Sequence, residues 1–358
     1  MDPAPPPDRA ARLHGRRDLR VHEEPRPSPA PGELLLRISA VGLCGSDLHW
    51  YADGSIGETG LAAPLVLGHE FGAVVVGGAR DGERVAVDPA DPCDACPQCL
   101  GGIGRLCERM RFAGQSPTDG ALQTWLAWPA SRCVPVPPSI PDEQVPLLEV
   151  LGIAVHALDL AGIRIDDGSP AGAGHGRGLI VGVYGAGPIG LVLIRALRAA
   201  GVATIVATDH LGHRVDAARA SGATTALLVP AEGRDPALAV PVDIAFECAG
   251  DDSALETAVR AVRPGGRVLL LGIPGGDRTA FPAGAARRRE LALQLVRRME
   301  AGDLARAVGL VANGQVSLEG LVTHRFALRD APTAFAALAR RDGLKIVVEP
   351  DEPRERWT

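Results

Sequence analysis

The stretch LIVGVYGAGPIGLVLIRALRAAG, residues 179–201, sets the fold class. Its first residues, Leu179–Tyr184, are mostly apolar and read as a buried strand. An apolar helix follows, and between the two stands Gly185-Ala186-Gly187-Pro188-Ile189-Gly190. A lone G-x-G-x-x-G says little, but here it closes a strand and opens a helix, the setting in which it acts. Its glycines permit a tight turn and the close approach of a backbone, and the helix N-terminus beyond them receives a pyrophosphate. The next strand, TIVATD, ends in Asp209, where a carboxylate should hold the ribose hydroxyls of an adenosine. Alternatively, Asp209 caps the helix HLGHRVDAARASGA. A carboxylate there repels a 2′-phosphate and favours NAD over NADP. Arg214 and His210 temper that preference, because either can pair with a phosphate.

Strand and helix keep alternating past this point. ALLVP, VDIAFECAG and GGRVLLLGIPG are strands, with the amphipathic helix DSALETAVRAVR between the last two. Such a run implies a parallel, doubly wound sheet with right-handed crossovers. Residues 286–315 read as one Arg-rich helical stretch that stops at Asn313-Gly314. Its arginines suit a solvated face, although Arg297 or Arg298 could instead reach a substrate. Residues 321–349 give strand, helix, strand, and the last strand is expected to return to the first domain.

That first domain is β-rich and barrel-like. Residues 1–7 are mostly proline and read as disordered, and residues 9–31 as turn-rich, with Pro25, Pro27, Pro29 and Pro31. GELLLRISAVGLCG alternates into a strand that ends in Cys44. GAVVVG (72–77) and ERVAVD (83–88) are further strands, and residues 119–136 look like a hairpin closing the barrel. PLLEVLGIAVHALDLAG, residues 146–162, is a helix leading out of the domain. The segment 166–178 is a glycine-rich loop in which His175 is a solvated bystander.

Two groups of residues carry chemistry. From Cys44 to Glu70 the chain holds a thiol, a hydroxyl, two imidazoles and carboxylates among turn-forming glycines. Zn²⁺ takes S, N and O donors, and a catalytic zinc keeps one position open. Cys44, His69 and Glu70 offer such donors, but neighbours in an extended segment point to opposite faces. His69 and Glu70 therefore share an ion only if the backbone bends at Gly68. The bland alternative is one buried Cys and two surface polar residues. The second group is Cys93, Cys96, Cys99 and Cys107, spaced C-x2-C-x2-C-x7-C on a turning lobe, residues 91–110. Four thiolates so spaced close a structural zinc site with no place for substrate. An iron–sulfur cluster or idle thiols are the alternatives. Cys133 and Cys248 suit small buried hydrophobes. Glu149 opens the helix after the barrel, where it either complements the dipole or faces the metal.

Composition bounds the rest. The chain has 358 residues, enough for two domains, and a net charge of −6 that argues against a nucleic-acid partner. No apolar run approaches the length of a bilayer span, and the N-terminus lacks an apolar signal core, so a cytoplasmic protein without a membrane partner is expected.

Taken together, GLCGSDLHWY, PLVLGHE, the four-cysteine lobe, GAGPIG with Asp209, LVTHRF and GLKIVVE resemble the zinc-dependent medium-chain dehydrogenases, and most of all their polyol (sorbitol/L-iditol) dehydrogenase branch. The resemblance covers about residues 30 to 349. Met110-Arg111-Phe112 after the lobe is similar to L-idonate dehydrogenases, while threonine and aminocyclitol dehydrogenases are more distant. It implies a GroES-like catalytic domain (1–155), a Rossmann NAD-binding domain (156–290) and a return segment (291–358). The ligands of a catalytic zinc match Cys44, His69 and Glu70, with Glu149 beside or among them. The family usually has Pro after that glutamate, whereas this chain has Val150. The resemblance also implies a homodimer or homotetramer that oxidises an alcohol or polyol. The alcohol's proton is expected to leave through Ser46 and His49, two and five residues past the ligating thiol, because a hydroxyl and an imidazole pass protons in either direction near neutral pH. Asp47 is expected to orient a ligand. Trp50 and Tyr51 either line the pocket or pack at a domain edge. A zinc-free reductase would lack the Cys44/His69 pair. A zinc-binding module without turnover would not need the dinucleotide fingerprint.

Overall fold

The computed structural model describes residues 8–57, 59–165, 176, 178–230 and 241–351. The proline-rich start and most of the glycine-rich loop, His175 included, lie outside them. Contacts divide the chain into two units, Met1–Glu149 with Glu319–Thr358, and Val150–Leu318.

The first unit is built on the strand Glu33–Gly42, whose buried Leu36, Ile38, Ala40 and Val41 anchor the core. Glu70–Val76 runs antiparallel to it from Leu35 to Gly42. On its other edge Trp125–Pro129 pairs with the first half, and Lys345–Glu349 joins at Val41 and Gly42. The last strand thus returns to the first unit across almost the whole chain. Trp50, Phe71, Trp128 and Phe335 fill the core beneath the sheet.

Two expectations for this unit need correction. Trp125–Pro129 and Cys133–Pro135 do not form a hairpin, because the second pairs with Arg84–Val87. The turn Ala130–Arg132 parts them, and Arg80 holds that corner by donating to Ala130 O and Cys133 O. The region read as turn-rich contains the hairpin Arg9–Gly15 with Asp18–Glu23. Ala10, Ala11, Leu13 and Leu19 of this hairpin are buried. Its outward Arg12 pairs with Glu24 and Asp119.

The second unit holds a six-stranded, all-parallel sheet. Its order is Thr225–Leu228, Thr204–Asp209, Ile180–Tyr184, Val242–Glu247, Val262–Leu270, Ala292–Leu295. Numbered along the chain this is 3-2-1-4-5-6, the order of a dinucleotide-binding fold with its crevice at the reversal point. The stretch 286–315 is not one helix. Helix Ala283–Arg288 gives way to strand Ala292–Leu295, then to helix Asp303–Ala312. The open edge of Val262–Leu270 recruits the leucine-rich segment as a sixth strand. That strand takes 291–318 into the second unit, so the return to the first comes at Glu319 rather than at 291. The other boundary falls inside helix Pro146–Ala161, after Glu149 rather than after residue 155. By length and composition Asp142–Ala161 can cross a membrane, contrary to expectation, but 78% of its apolar window is buried inside the protein.

Candidate active site and metal centres

Cys44 follows the central strand by two residues and caps helix Gly45–Asp53. Three residues on, Asp47 is fully buried and its Oδ2 accepts from the Cys44 N–H at 2.9 Å. Gly68 has φ +93, the bend required to bring His69 and Glu70 inward together. Donor atoms of Cys44, His69 and Glu70 all lie within 4.8 Å of one another. His69 and Glu70 are buried. Asp47 Oδ1 accepts from Gly68 N at 3.3 Å and lies 3.5 Å from His69 Nδ1. Such a carboxylate fixes the ring and leaves Nε2 to a metal. Ser46 Oγ stands 3.4 Å from that Nε2. Burial works against a charged His69, but Asp47 and Cys44 outweigh it and raise the ring well above its ordinary pKa. An S, N and O donor set this close, already oriented by a carboxylate, fits a zinc ion with an open position.

Glu149 is buried on the first turn of Pro146–Ala161, outside the three-donor set. Burial, with Glu70 and Asp88, pushes its carboxyl up to about 8, against the pull of His69 and Lys345. His49 lies on the same helix as Ser46 and pairs with Asp53, Nδ1 to Oδ2 at 3.4 Å. Trp50 and Tyr51 are packing residues: Trp50 is in the core, and the Tyr51 ring lies 5.1 Å from that of Phe335. Two neighbours of the cluster had been given no role. The Phe112 ring sits 5.6 Å from that of His69. The Lys345 ammonium is buried against Glu70 Oε2 and donates to Leu43 O at 2.9 Å. Their signals were the Met110-Arg111-Phe112 and GLKIVVE motifs.

Cys93, Cys96, Cys99 and Cys107 form the second cluster, with sulfurs also within 4.8 Å of one another. Cys96 Sγ is 3.5 Å from Cys99 Sγ and 3.8 Å from Cys107 Sγ. Zinc–sulfur bonds of ~2.3 Å in a tetrahedron give an edge of ~3.8 Å, so the sulfurs fit that ion. Backbone N–H groups of Cys93 and Arg109 point at Cys107 Sγ. The Ala95 backbone helps bring the Cys93 thiol down to about 6, while burial pushes Cys99 up to about 12. Leu100, Ile103 and Leu106 are exposed, so the lobe has little core of its own. Cys133 and Cys248 are buried elsewhere.

In the second unit, Gly185 has φ +100, and a Cβ there would come within 2.7 Å of Ala249 N. A Cβ on Gly190 would collide with Gly185 O. Pro188 starts helix Pro188–Ala199 and Gly187 offers no side-chain cap, so its first N–H groups remain available to an anion. Ile189, half-buried, begins that helix beside Pro188. Asp209 accepts from Ala186 N at 2.8 Å and Leu211 N at 2.9 Å, so it braces the glycine turn as well as the next helix. Arg214 Nη1 would lie 3.5 Å from a Cβ on Gly187, which places the guanidinium beside the turn. Glu247 was not foreseen. It is buried at a strand end and accepts from Ala249 N and Gly250 N, both at 2.7 Å. Burial pushes it up to about 7.

Residues 30–138 match the alcohol dehydrogenase GroES-like domain, and residues 188–313 match the zinc-binding dehydrogenase family. The chain is 34% identical to a probable D-xylulose reductase A of Aspergillus fumigatus, over 92% of this chain and 93% of that protein. It is 32% identical to the sorbitol dehydrogenase of Bos taurus, over 98% of each. Among solved structures, it is similar to L-idonate 5-dehydrogenase from Escherichia coli, with a TM-score of 0.85 and 26% identity, over 96% of this chain and 98% of that one.

Proposed function

The chain belongs to the zinc-binding dehydrogenases of the medium-chain family, and we propose from that premise that it oxidises a secondary alcohol of a polyol or sugar-derived substrate with NAD. The observation that carries this reading is the meeting of Cys44, His69 and Glu70 around one point, with Asp47 clamped behind them. These three would hold the catalytic zinc, Glu149 would stand by its open position, and the four cysteines would hold a structural zinc. When bound, the zinc lowers the pKa of an alcohol and NAD accepts a hydride.

The chain's own groups do the rest. Ser46 Oγ, against His69, would accept the alcohol's proton as it hands its own on, and His49 on the more exposed part of the same helix would receive that proton and release it to water. Phe112 gives the substrate an apolar wall beside His69. Gly185, Gly187, Pro188, Ile189 and Gly190 would receive the pyrophosphate, with Asp209 on the ribose and Arg214 nearby. Asp209's charge supports NAD over NADP. The polyol class is carried by the sorbitol and D-xylulose relatives. A sugar-acid substrate is the second reading, on the likeness to L-idonate 5-dehydrogenase. Against it, Arg111, the cation of the shared motif, is taken up by Glu33 and Asp91 and lies over the Trp128 ring. A cytoplasmic homodimer or homotetramer belongs to the same proposal, and sedimentation checks the assembly.

The test is a panel of polyols, aldonates, cyclitols and L-threonine, each with NAD⁺ and NADP⁺, followed at the NADH absorption band. A polyol with NAD⁺ should turn over fastest. A metal-replete protein that turns over no polyol would overturn the reading.

A further inference from the structure

Lys345 lies in the last strand of the chain and is 1% exposed. A lysine so buried needs a partner, because removing an ammonium from water costs several kcal/mol. Its Nζ forms an ion pair with Glu70 Oε2 and donates to Leu43 O, the carbonyl just before Cys44.

A second, independent observation concerns Gly42. A Cβ at that position would lie 2.5 Å from Glu70 Oε2 and 2.7 Å from Lys345 Cε. Gly42 pairs with Val347 in the last strand and with Glu70 in its other neighbour. Its missing side chain makes the room in which the ion pair sits. Three sequence-distant positions thus agree on one contact.

Charge explains what the contact is for. A Cys44 thiolate and the Glu70 carboxylate together match the charge of a divalent ion. Asp47, held against His69, adds one further negative charge to a water-poor site. The Lys345 ammonium balances it. It also stands against Oε2 of Glu70 and so holds that carboxylate in place.

We propose that Lys345 is a positioning residue of the metal centre: through Glu70 it fixes one ligand oxygen and balances the charge of the site, so that the last strand of the chain tunes metal affinity. This rests on the zinc reading of Cys44, His69 and Glu70.

The experiment measures metal affinity of the full-length protein by competition with a chromophoric chelator. The absorption spectrum of the Co²⁺-substituted protein serves as a second readout. Wild-type protein should load both centres. Lys345→Met should bind metal at the Cys44 centre about 10–100-fold more weakly, the usual cost of losing a group that orients a ligand. Its Co²⁺ spectrum should change, and the four-cysteine lobe should stay loaded. Lys345→Arg should restore most of the affinity. Gly42→Ala, which alters neither a ligand nor the lysine, should weaken the same centre and carries the test if Lys345→Met does not fold. In a Glu70→Gln background, Lys345→Met should cost little more, because its effect runs through that carboxylate. Wild-type affinity and spectrum in both Lys345→Met and Gly42→Ala would overturn this inference alone. Wild-type protein that loads only the lobe would overturn it together with the zinc reading.

Discussion

The two units prepare for their ligands with opposite materials. The first gathers polar side chains: a half-buried thiol at 44, and a buried imidazole, three carboxylates and an ammonium from positions 47, 69, 70, 149 and 345. The second uses almost no side chains. Its site is backbone, shaped by glycines at 185 and 190 that have no room for a Cβ, and braced by Asp209 and Glu247. Charges tolerate little exchange but can be supplied from anywhere in the chain. A backbone cradle tolerates many side chains around it but must be contiguous. Loss of a ligand should therefore remove chemistry and leave the fold, whereas damage to the cradle should weaken binding in proportion to the displaced backbone.

The largest expected effect is on the charged site. Cys44→Ala should lower turnover by at least about 10³-fold, since a metal contributes several kcal/mol to the reaction. The thermal midpoint should barely move, and substantial activity in this variant would break the contrast. Cys96→Ser tests the lobe, which relies on metal in place of a core. It should cost about 2–5 kcal/mol, the size of a lost native cross-link. Proteolysis should then cut within 97–106, and an uncut lobe would deny it a metal. Gly190→Ala should push Gly185 O aside and weaken NAD⁺ binding by about 1–3 kcal/mol, the usual cost of overpacking. Fluorescence titration measures this, with zinc content unchanged. An affinity equal to wild type would mean the turn is not the cradle.

The smallest effect depends on pH. Glu247 has its folded pKa near 7, above the ordinary 4.5. The stability it lends is whole below about 4.5 and is lost as pH rises through about 7, because the ionised form is the one disfavoured by burial. Glu247→Gln keeps an oxygen for the Ala249 and Gly250 N–H groups. It should therefore stabilise the second unit by about 1–2 kcal/mol above neutrality, within the ~3 kcal/mol bound set by the shift. Little change is expected at acidic pH. Melting curves across that range decide it, and a pH-independent difference would reject the assignment.

How much could be read from sequence follows the same division. The cradle was legible because a backbone that must turn and be approached closely leaves glycines in a row, between a strand and a helix. The lobe was legible from thiol spacing. Cys44, His69 and Glu70 could be named as donors, with Gly68 as the required bend, because they lie close along the chain. The partner of Glu70 could not, because Lys345 is 302 residues from the carbonyl that it also meets and no local pattern links them. The strand Ala292–Leu295 looked helical because an edge strand, largely exposed, need not alternate inward and outward residues. The first hairpin was hidden because two adjacent small residues, Ala10 and Ala11, are both buried among arginines and break the alternation expected of a strand.

The strand that carries Lys345 has a consequence for synthesis. A ribosome extends a chain by ~5–20 residues per second, so Lys345 follows Leu43 by roughly 15–60 seconds. By then Val150–Leu318, one continuous segment, has been made in full and can fold. The edge of Glu33–Gly42 at Val41 and Gly42 waits for its neighbour until Val347 and Val348 emerge. A nascent polypeptide stalled before Lys345 would carry the whole second unit, and a first unit with its three metal donors but without the edge strand and the lysine behind Glu70.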